Sequence, residues 1–206
     1  MRYGHYLVSS ESYALILCIS LQAMDLQHTF IIFGAQGFAM IMFSLLKQVI
    51  KAPRPFFIDT DIAVDSCKYA EFGSPSGHSF AAGVIYTNLT VLLLKYYKCS
   101  RRTGLLCYAL ITVPTLAFLG FSRIYEGMHS VDQVVSGISQ GVLSGYLFSE
   151  VLYTYLIELQ EQASYRPLFK TLIGNFFSVV LMIGGIANIV AYSINARTYS
   201  IPQTWL

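Results

Sequence analysis

Two histidines and four cations stand in three short stretches of this chain, each at the edge of an apolar run. The first runs from Lys47 to Pro55 (K-Q-V-I-K-A-P-R-P), the second from Gly73 to Ser79 (G-S-P-S-G-H-S), and the third from Ser122 to Gln133 (S-R-I-Y-E-G-M-H-S-V-D-Q). An imidazole close to a guanidinium is a poor pairing unless an anion lies between them, and a phosphate suits both. Pro53 and Pro55 stiffen the backbone on either side of Arg54, so its planar fork and the point charge of Lys47 could share one doubly charged group. A juxtamembrane basic cluster that touches lipid head groups would have the same composition.

Ser76 and Gly77 precede an apolar segment, which places them where a helix N-terminus gathers unpaired amides. Pro75 fixes the approach, Gly77 lets an anion come close to backbone, and Ser76 can cap the helix or bind a phosphate oxygen. His78 stands at the rim; its bland reading is an incidental histidine on a capped helix. A serine nucleophile lacks the G-x-S-x-G pattern. In the third stretch, helical spacing lets either Asp132, three residues on, or Gln133, four residues on, hold one nitrogen of His129 and aim the other. A neutral, oriented imidazole can attack phosphorus while a second histidine protonates the leaving oxygen. His129 fits the first role and His78 the second.

These residues must be positioned by membrane helices. Of the 206 residues 55% are apolar and 12% charged, with mean hydropathy +0.56, outside the range of soluble domains. Long unalternating apolar runs predict an all-α, polytopic membrane bundle with about six transmembrane helices. The expected spans are Tyr6 to Met24, Thr29 to Leu46, Phe80 to Tyr97, Leu105 to Phe121, Val134 to Ile157 and Leu172 to Ile194. The first is diluted by Ser9 to Ser12 and could lie in the interface. Alternation brings all three charged stretches to one membrane surface, even if the first span is lost. The chain reads as a single membrane-embedded domain, 1–206, with its motif core at about 40–145, and no cleaved signal peptide is read at its start.

Lys95, Lys98, Arg101 and Arg102, joined by Arg166 and Lys170, mark the opposite face as cytoplasmic, which leaves the motif face lumenal or exterior. The expected location is therefore an endomembrane or the plasma membrane. A net charge of +2 with scattered basic residues argues against nucleic acid. His28 reads as a solvated turn residue, and the loop Phe56 to Phe72, with Asp59, Asp61, Asp65 and Glu71, as solvated or salt-bridged, since its spacing matches no calcium loop. Asn88 matches a glycosylation acceptor but falls inside a span. Cys18, Cys67, Cys99 and Cys107 lack metal spacing and read as free thiols. The Gly and Ser residues from Ser136 to Gly145 read as a close helix contact.

Taken in order, the three stretches resemble the type-2 phosphatidic acid phosphatase and vanadium haloperoxidase superfamily, whose pattern is K-x6-R-P, P-S-G-H and S-R-x5-H-x3-D. The resemblance implies that Lys47, Arg54, Ser76, Gly77 and Arg123 bind phosphate, that His78 is the general acid and that His129 is the nucleophile. It also implies that neither metal nor cofactor is needed. The family's aspartate falls where this chain has Gln133, so either Asp132 substitutes or Gln133 orients the imidazole as an amide. Glucose-6-phosphatases look similar here, with H-x3-Q-V-V.

The expected function is a membrane phosphatase that hydrolyses a phosphate monoester, on a phosphatidic acid or isoprenoid type of lipid, through a phosphohistidine. Phe56, Phe57, Phe72 and Tyr125 beside the motifs suit an amphiphile whose tail stays in the bilayer. The alternatives are a sugar phosphatase like glucose-6-phosphatase, and a non-catalytic subunit of a larger membrane complex. Expected partners are the bilayer, the amphiphilic substrate and either a complex or a second copy of the chain.

Overall fold

The computed structural model describes residues 15–16, 18–19, 22–24, 26–59, 61–62, 72–155, 179 and 182–195. These form helices, with no strand among the described residues. Helix α1 (Leu26–Ile50) leads through a non-helical turn to the short α2 (Pro55–Ile58). Helix α3 (Gly77–Tyr96) follows, then α4 (Arg101–Cys107), which a π-turn (Tyr108–Thr112) joins to α5 (Val113–Tyr125). Helix α6 (Val131–Leu147) continues through a second π-turn (Phe148–Leu152), and α7 (Met182–Asn195) is the last described helix.

Three stretches, Ile31–Ile58, Gly77–Tyr96 and Arg101–Tyr125, are long and apolar enough to cross a membrane. The expected span from Thr29 lengthens at both ends in α1, and the one expected from Phe80 begins three residues earlier, at Gly77. The stretch expected from Val134 is helical through residue 155, but Ser136, Ser139, Gln140 and Ser144 dilute its apolar character. The first expected span lies largely outside the described residues, and the last is described only in part, as α7, so the count of six is not established. Outward faces are apolar: on α4 to α5, Leu105, Leu106, Leu110, Ile111, Val113, Phe118 and Phe121 are all exposed. An apolar face this continuous is at home against lipid rather than water.

Helix α3 is the centre. Its Phe80 and Val84 pack on Ala35 and Ala39 of α1, its Ala81 and Ala82 on Leu116 and Leu119 of α5, and its Leu92 on Ile31 and Ile32. Against α6 it packs almost backbone to backbone. A Cβ on Gly137 would lie 2.7 Å from the Ser76 carbonyl oxygen, one on Gly145 2.6 Å from that of Val84, and one on Gly141 would overlap that of Phe80. Glycines four apart form one stripe, as close helix approach in a membrane requires. Buried polar groups pin the same contact, since Asn88 Nδ2 donates to Ser149 Oγ (2.9 Å), which donates to the Gly145 carbonyl (2.7 Å). Asn88 thus serves packing.

His28 departs from its expected role. It lies inside α1, buried, with ring centroids 5.2 Å from Tyr96 and 5.3 Å from Tyr153. The polar run before it resembles a turn, but the helix has already started at Leu26 and the ring finds an aromatic pocket. Cys18, Cys99 and Cys107 are free thiols, while Cys67 and most of the acidic loop lie outside the described residues.

The glycine stripe makes a direct prediction. Gly141→Ala should destabilise the detergent-solubilised protein by about 1–3 kcal/mol through overpacking. Gly185→Ala, where nothing lies within 4 Å of the new Cβ, should be neutral or stabilise by up to about 1 kcal/mol through helix propensity. Thermal unfolding of both variants checks this; equal shifts would remove the stripe as the basis of α3 to α6 packing.

Candidate active site

The end of α1, the start of α3, the end of α5 and the start of α6 meet at one end of the bundle, and each carries part of a charged stretch. Two backbone bonds join these parts: Gly73 N–H donates to the Ala52 carbonyl (2.7 Å) and Ser76 N–H to the Gln133 carbonyl (3.0 Å). Gly73 must be glycine, because a Cβ there would sit 2.7 Å from the Gln133 amide and 2.7 Å from the Pro53 oxygen. Lys47, Arg54, Ser76, Arg123, His129 and Gln133 are all buried, whereas Gly77 and His78 are half-buried. Three cations gathered near one imidazole make a setting that suits a phosphate.

His129 sits in the turn between α5 and α6, and its Nδ1 is 3.2 Å from Gln133 Oε1. The other end of that amide fixes the reading: Gln133 Nε2 donates to the Pro53 carbonyl at 2.7 Å, so Oε1 must be the atom that faces the ring. An oxygen there can only accept, hence Nδ1 carries the hydrogen and Nε2 presents its lone pair. Ser130 N–H also donates to Oε1, at 3.4 Å. Asp132, one residue earlier, is exposed on the first turn of α6. Of the two candidates for holding the imidazole, the structure brings Gln133 to it and leaves Asp132 facing outward.

Burial, then the charges of Arg54 and Lys47, then that of Arg123, push the His129 pKa from 6.5 down to about 3, against an upward pull from the Gln133 bond. The ring is therefore neutral at physiological pH. All three cations are near enough for their charges to act on the ring. Arg54 Nη1 donates to the Met128 carbonyl at 3.4 Å, which ties the first stretch to the loop that carries His129. Lys47 Nζ stands 5.7 Å from the Phe43 ring centroid. Arg123 Nη1 pairs with Glu126 at 2.8 Å, a partner that the sequence analysis did not single out although the three-residue spacing offers it. Ser76 occupies the cap position of α3 but makes no side-chain cap bond; its hydroxyl accepts from Ser79 Oγ at 3.0 Å instead. His78 lies two residues further on, in the first turn of α3.

Fold and site together define a helical membrane protein with Lys47, Arg54 and Arg123 near a buried histidine. The chain belongs to the PAP2 superfamily, whose pattern matches residues 28–157. Over 127 residues it is 32% identical to a dolichyldiphosphatase of Saccharomyces cerevisiae, covering 60% of this chain and 51% of that one. Over 111 residues it is 29% identical to phosphatidylglycerophosphatase B of Bacillus subtilis, covering 54% and 51%. Glucose-6-phosphatase catalytic subunit 1 of Mus musculus matches at 29% over 140 residues, 57% of this chain and 38% of that one. The chain thus spans about half or less of the length of these relatives. The crystal structure of a transmembrane PAP2 type phosphatidylglycerolphosphate phosphatase from Bacillus subtilis shares the fold, with TM-score 0.61 at 23% identity, covering 73% of this chain and 74% of that one.

The depressed pKa has a stability consequence. In the unfolded chain the imidazole takes up a proton below pH 6.5, in the folded chain only near pH 3. Between these values the unfolded state binds more protons, so stability is full above pH 6.5 and falls with acid down to about pH 3. His129→Gln should flatten this part of the profile, measured as Tm against pH in detergent; a slope identical to that of the unmodified chain would contradict the assignment.

Proposed function

We propose that this chain is a membrane phosphatase that hydrolyses the phosphate monoester of a lipid or isoprenoid through a phosphohistidine on His129. The observation that carries it is the Gln133 amide, which holds His129 with Nε2 presented amid the charges of Lys47, Arg54 and Arg123. Those cations, with Ser76 and Gly77 at the N-terminus of α3, bind the phosphate oxygens. Nε2 attacks phosphorus, the P–O ester bond breaks, and the leaving alkoxide takes its proton from His78. Water then attacks the phosphohistidine and gives a proton to the now neutral His78. The P–N bond breaks and inorganic phosphate leaves. Gln133 is a positioning residue, and Asp132 has no part in these steps.

A lipid substrate is supported by the exposed apolar helix faces beside the site and by the lipid phosphatases among the relatives, which also include sphingosine-1-phosphate phosphatase 2 of Mus musculus, 31% identical over 99 residues. The motif face is lumenal or exterior on this reading, since Lys98, Arg101 and Arg102 mark the other end. A sugar phosphate is the second reading, favoured by the amide at Gln133 and the glucose-6-phosphatase relative.

In detergent, the purified chain should release phosphate from a short-chain phosphatidic acid in a vanadate-sensitive reaction, at a rate well above that for glucose 6-phosphate. The reverse preference would select the sugar reading; release from neither would mark a non-catalytic subunit. His129→Ala should abolish both turnover and acid-labile radiophosphate labelling, and labelling that persists would remove His129 as the nucleophile.

Gln133→Ala should lower kcat on the order of 10²-fold, with KM changed far less, by freeing the tautomer. Asp132→Asn should stay within about twofold, as exposed substitutions do. Steady-state kinetics of the pair decides; the opposite order would make Asp132 the orienting group.

A further inference from the structure

At the end of the bundle remote from His129, a cavity of about 620 Å³ opens between α3, α4 and α6. It falls within the size range of small-molecule sites. Val91, Leu94, Leu105 and Val142 supply its apolar wall. The hydroxyls that border it are bonded to neighbours: Thr87 Oγ1 lies 3.1 Å from Tyr108 Oη, and Thr90 Oγ1 donates to the Tyr86 carbonyl at 2.7 Å. An open groove with so apolar a wall suits a hydrocarbon chain better than water.

The mouth is cationic. Among the described residues that line it, Lys95 and Glu150 pair at 2.9 Å and cancel, which leaves Lys98 and the exposed Arg101 as the remaining charges. Lys98 ends the turn after α3 at φ 51, a left-handed conformation that suits glycine and strains a residue with a Cβ. We infer that this cavity is a non-catalytic site for one anionic phospholipid of the surrounding bilayer, with an acyl chain between α3, α4 and α6 and the phosphate on Lys98 and Arg101.

The test is native mass spectrometry of the full chain with equimolar phosphatidylglycerol and phosphatidylcholine of identical acyl chains. The unmodified protein should retain phosphatidylglycerol about tenfold over phosphatidylcholine, and Lys98→Gln with Arg101→Gln should bring the ratio to about one. Equal retention by the unmodified protein, or a preference that survives loss of both cations, would overturn the proposal. Saturating vanadate should leave retention unchanged; retention lost with vanadate would place the lipid at His129 instead. Val91→Trp should empty the cavity of lipid. Should that variant not fold, competition on the unmodified chain reads the same point: dihexanoyl phosphatidylglycerol should fail to displace the long-chain lipid, and equal competition by both would refute the buried tail. None of these readouts requires turnover, so they stand or fall apart from the phosphatase reading.

Discussion

The side-chain amide of Gln133 is the point on which the site depends. One end holds the ring of His129, the other donates to a carbonyl 80 residues away at Pro53, and the backbone carbonyl of the same residue accepts from Ser76. Three chain segments that share no local contact in sequence are thereby set against one another. An amide can do this because it carries a donor and an acceptor at once. A carboxylate at the same place would accept from the ring but would face the Pro53 oxygen with another acceptor, and that stretch would need a different tether. The identity of residue 133 and the path of the Pro53 backbone are thus one choice.

That junction is only as well placed as the helices beneath it. The glycine stripe of α6 lets its backbone sink onto α3, and the register in which Gly137 meets Ser76 is the register in which Gln133, one turn earlier, meets Ser76 N–H. Packing in the membrane and bonding at its surface are therefore the same alignment read at two depths. Steric contact, rather than hydrophobic driving force, has to set the distance, because lipid tails are as apolar as the helix faces they replace.

Much of this was legible in the sequence for a physical reason. Cations and imidazoles at the end of an apolar helix are costly to place, so Lys47, Arg54, His78, Arg123 and His129 stand out, and alternation of spans brings them to one surface. Small residues at every fourth position from Gly137 announce a close approach. What escaped reading depends on contacts that no periodicity encodes. Asp132 and Gln133 both reach His129 on a helical wheel, and only the carbonyl of Pro53 separates them. His28 is flanked by polar residues like a turn, yet aromatic rings from the ends of two other helices enclose it. Glu126 carries no motif at all, and its pairing with Arg123 emerges only once the end of α5 is seen.

The charge arrangement also bears on timing in the proposed reaction. Without substrate, burial and then the nearby cations depress the His129 pKa and keep Nε2 unprotonated, and the cations' share of that shift also drains its reactivity towards phosphorus. A phosphate dianion among Lys47, Arg54 and Arg123 offsets that positive field. The same ring then becomes more basic at the moment phosphorus is in front of it, while its Nδ1 hydrogen stays fixed by Gln133. Glu126 works in the same direction on a smaller scale, since a carboxylate 2.8 Å from Arg123 already balances one cation and lowers the number that the substrate must neutralise. In the proposed reaction His129 is thus held in a weakly basic state and recovers part of its strength when the phosphate it attacks binds.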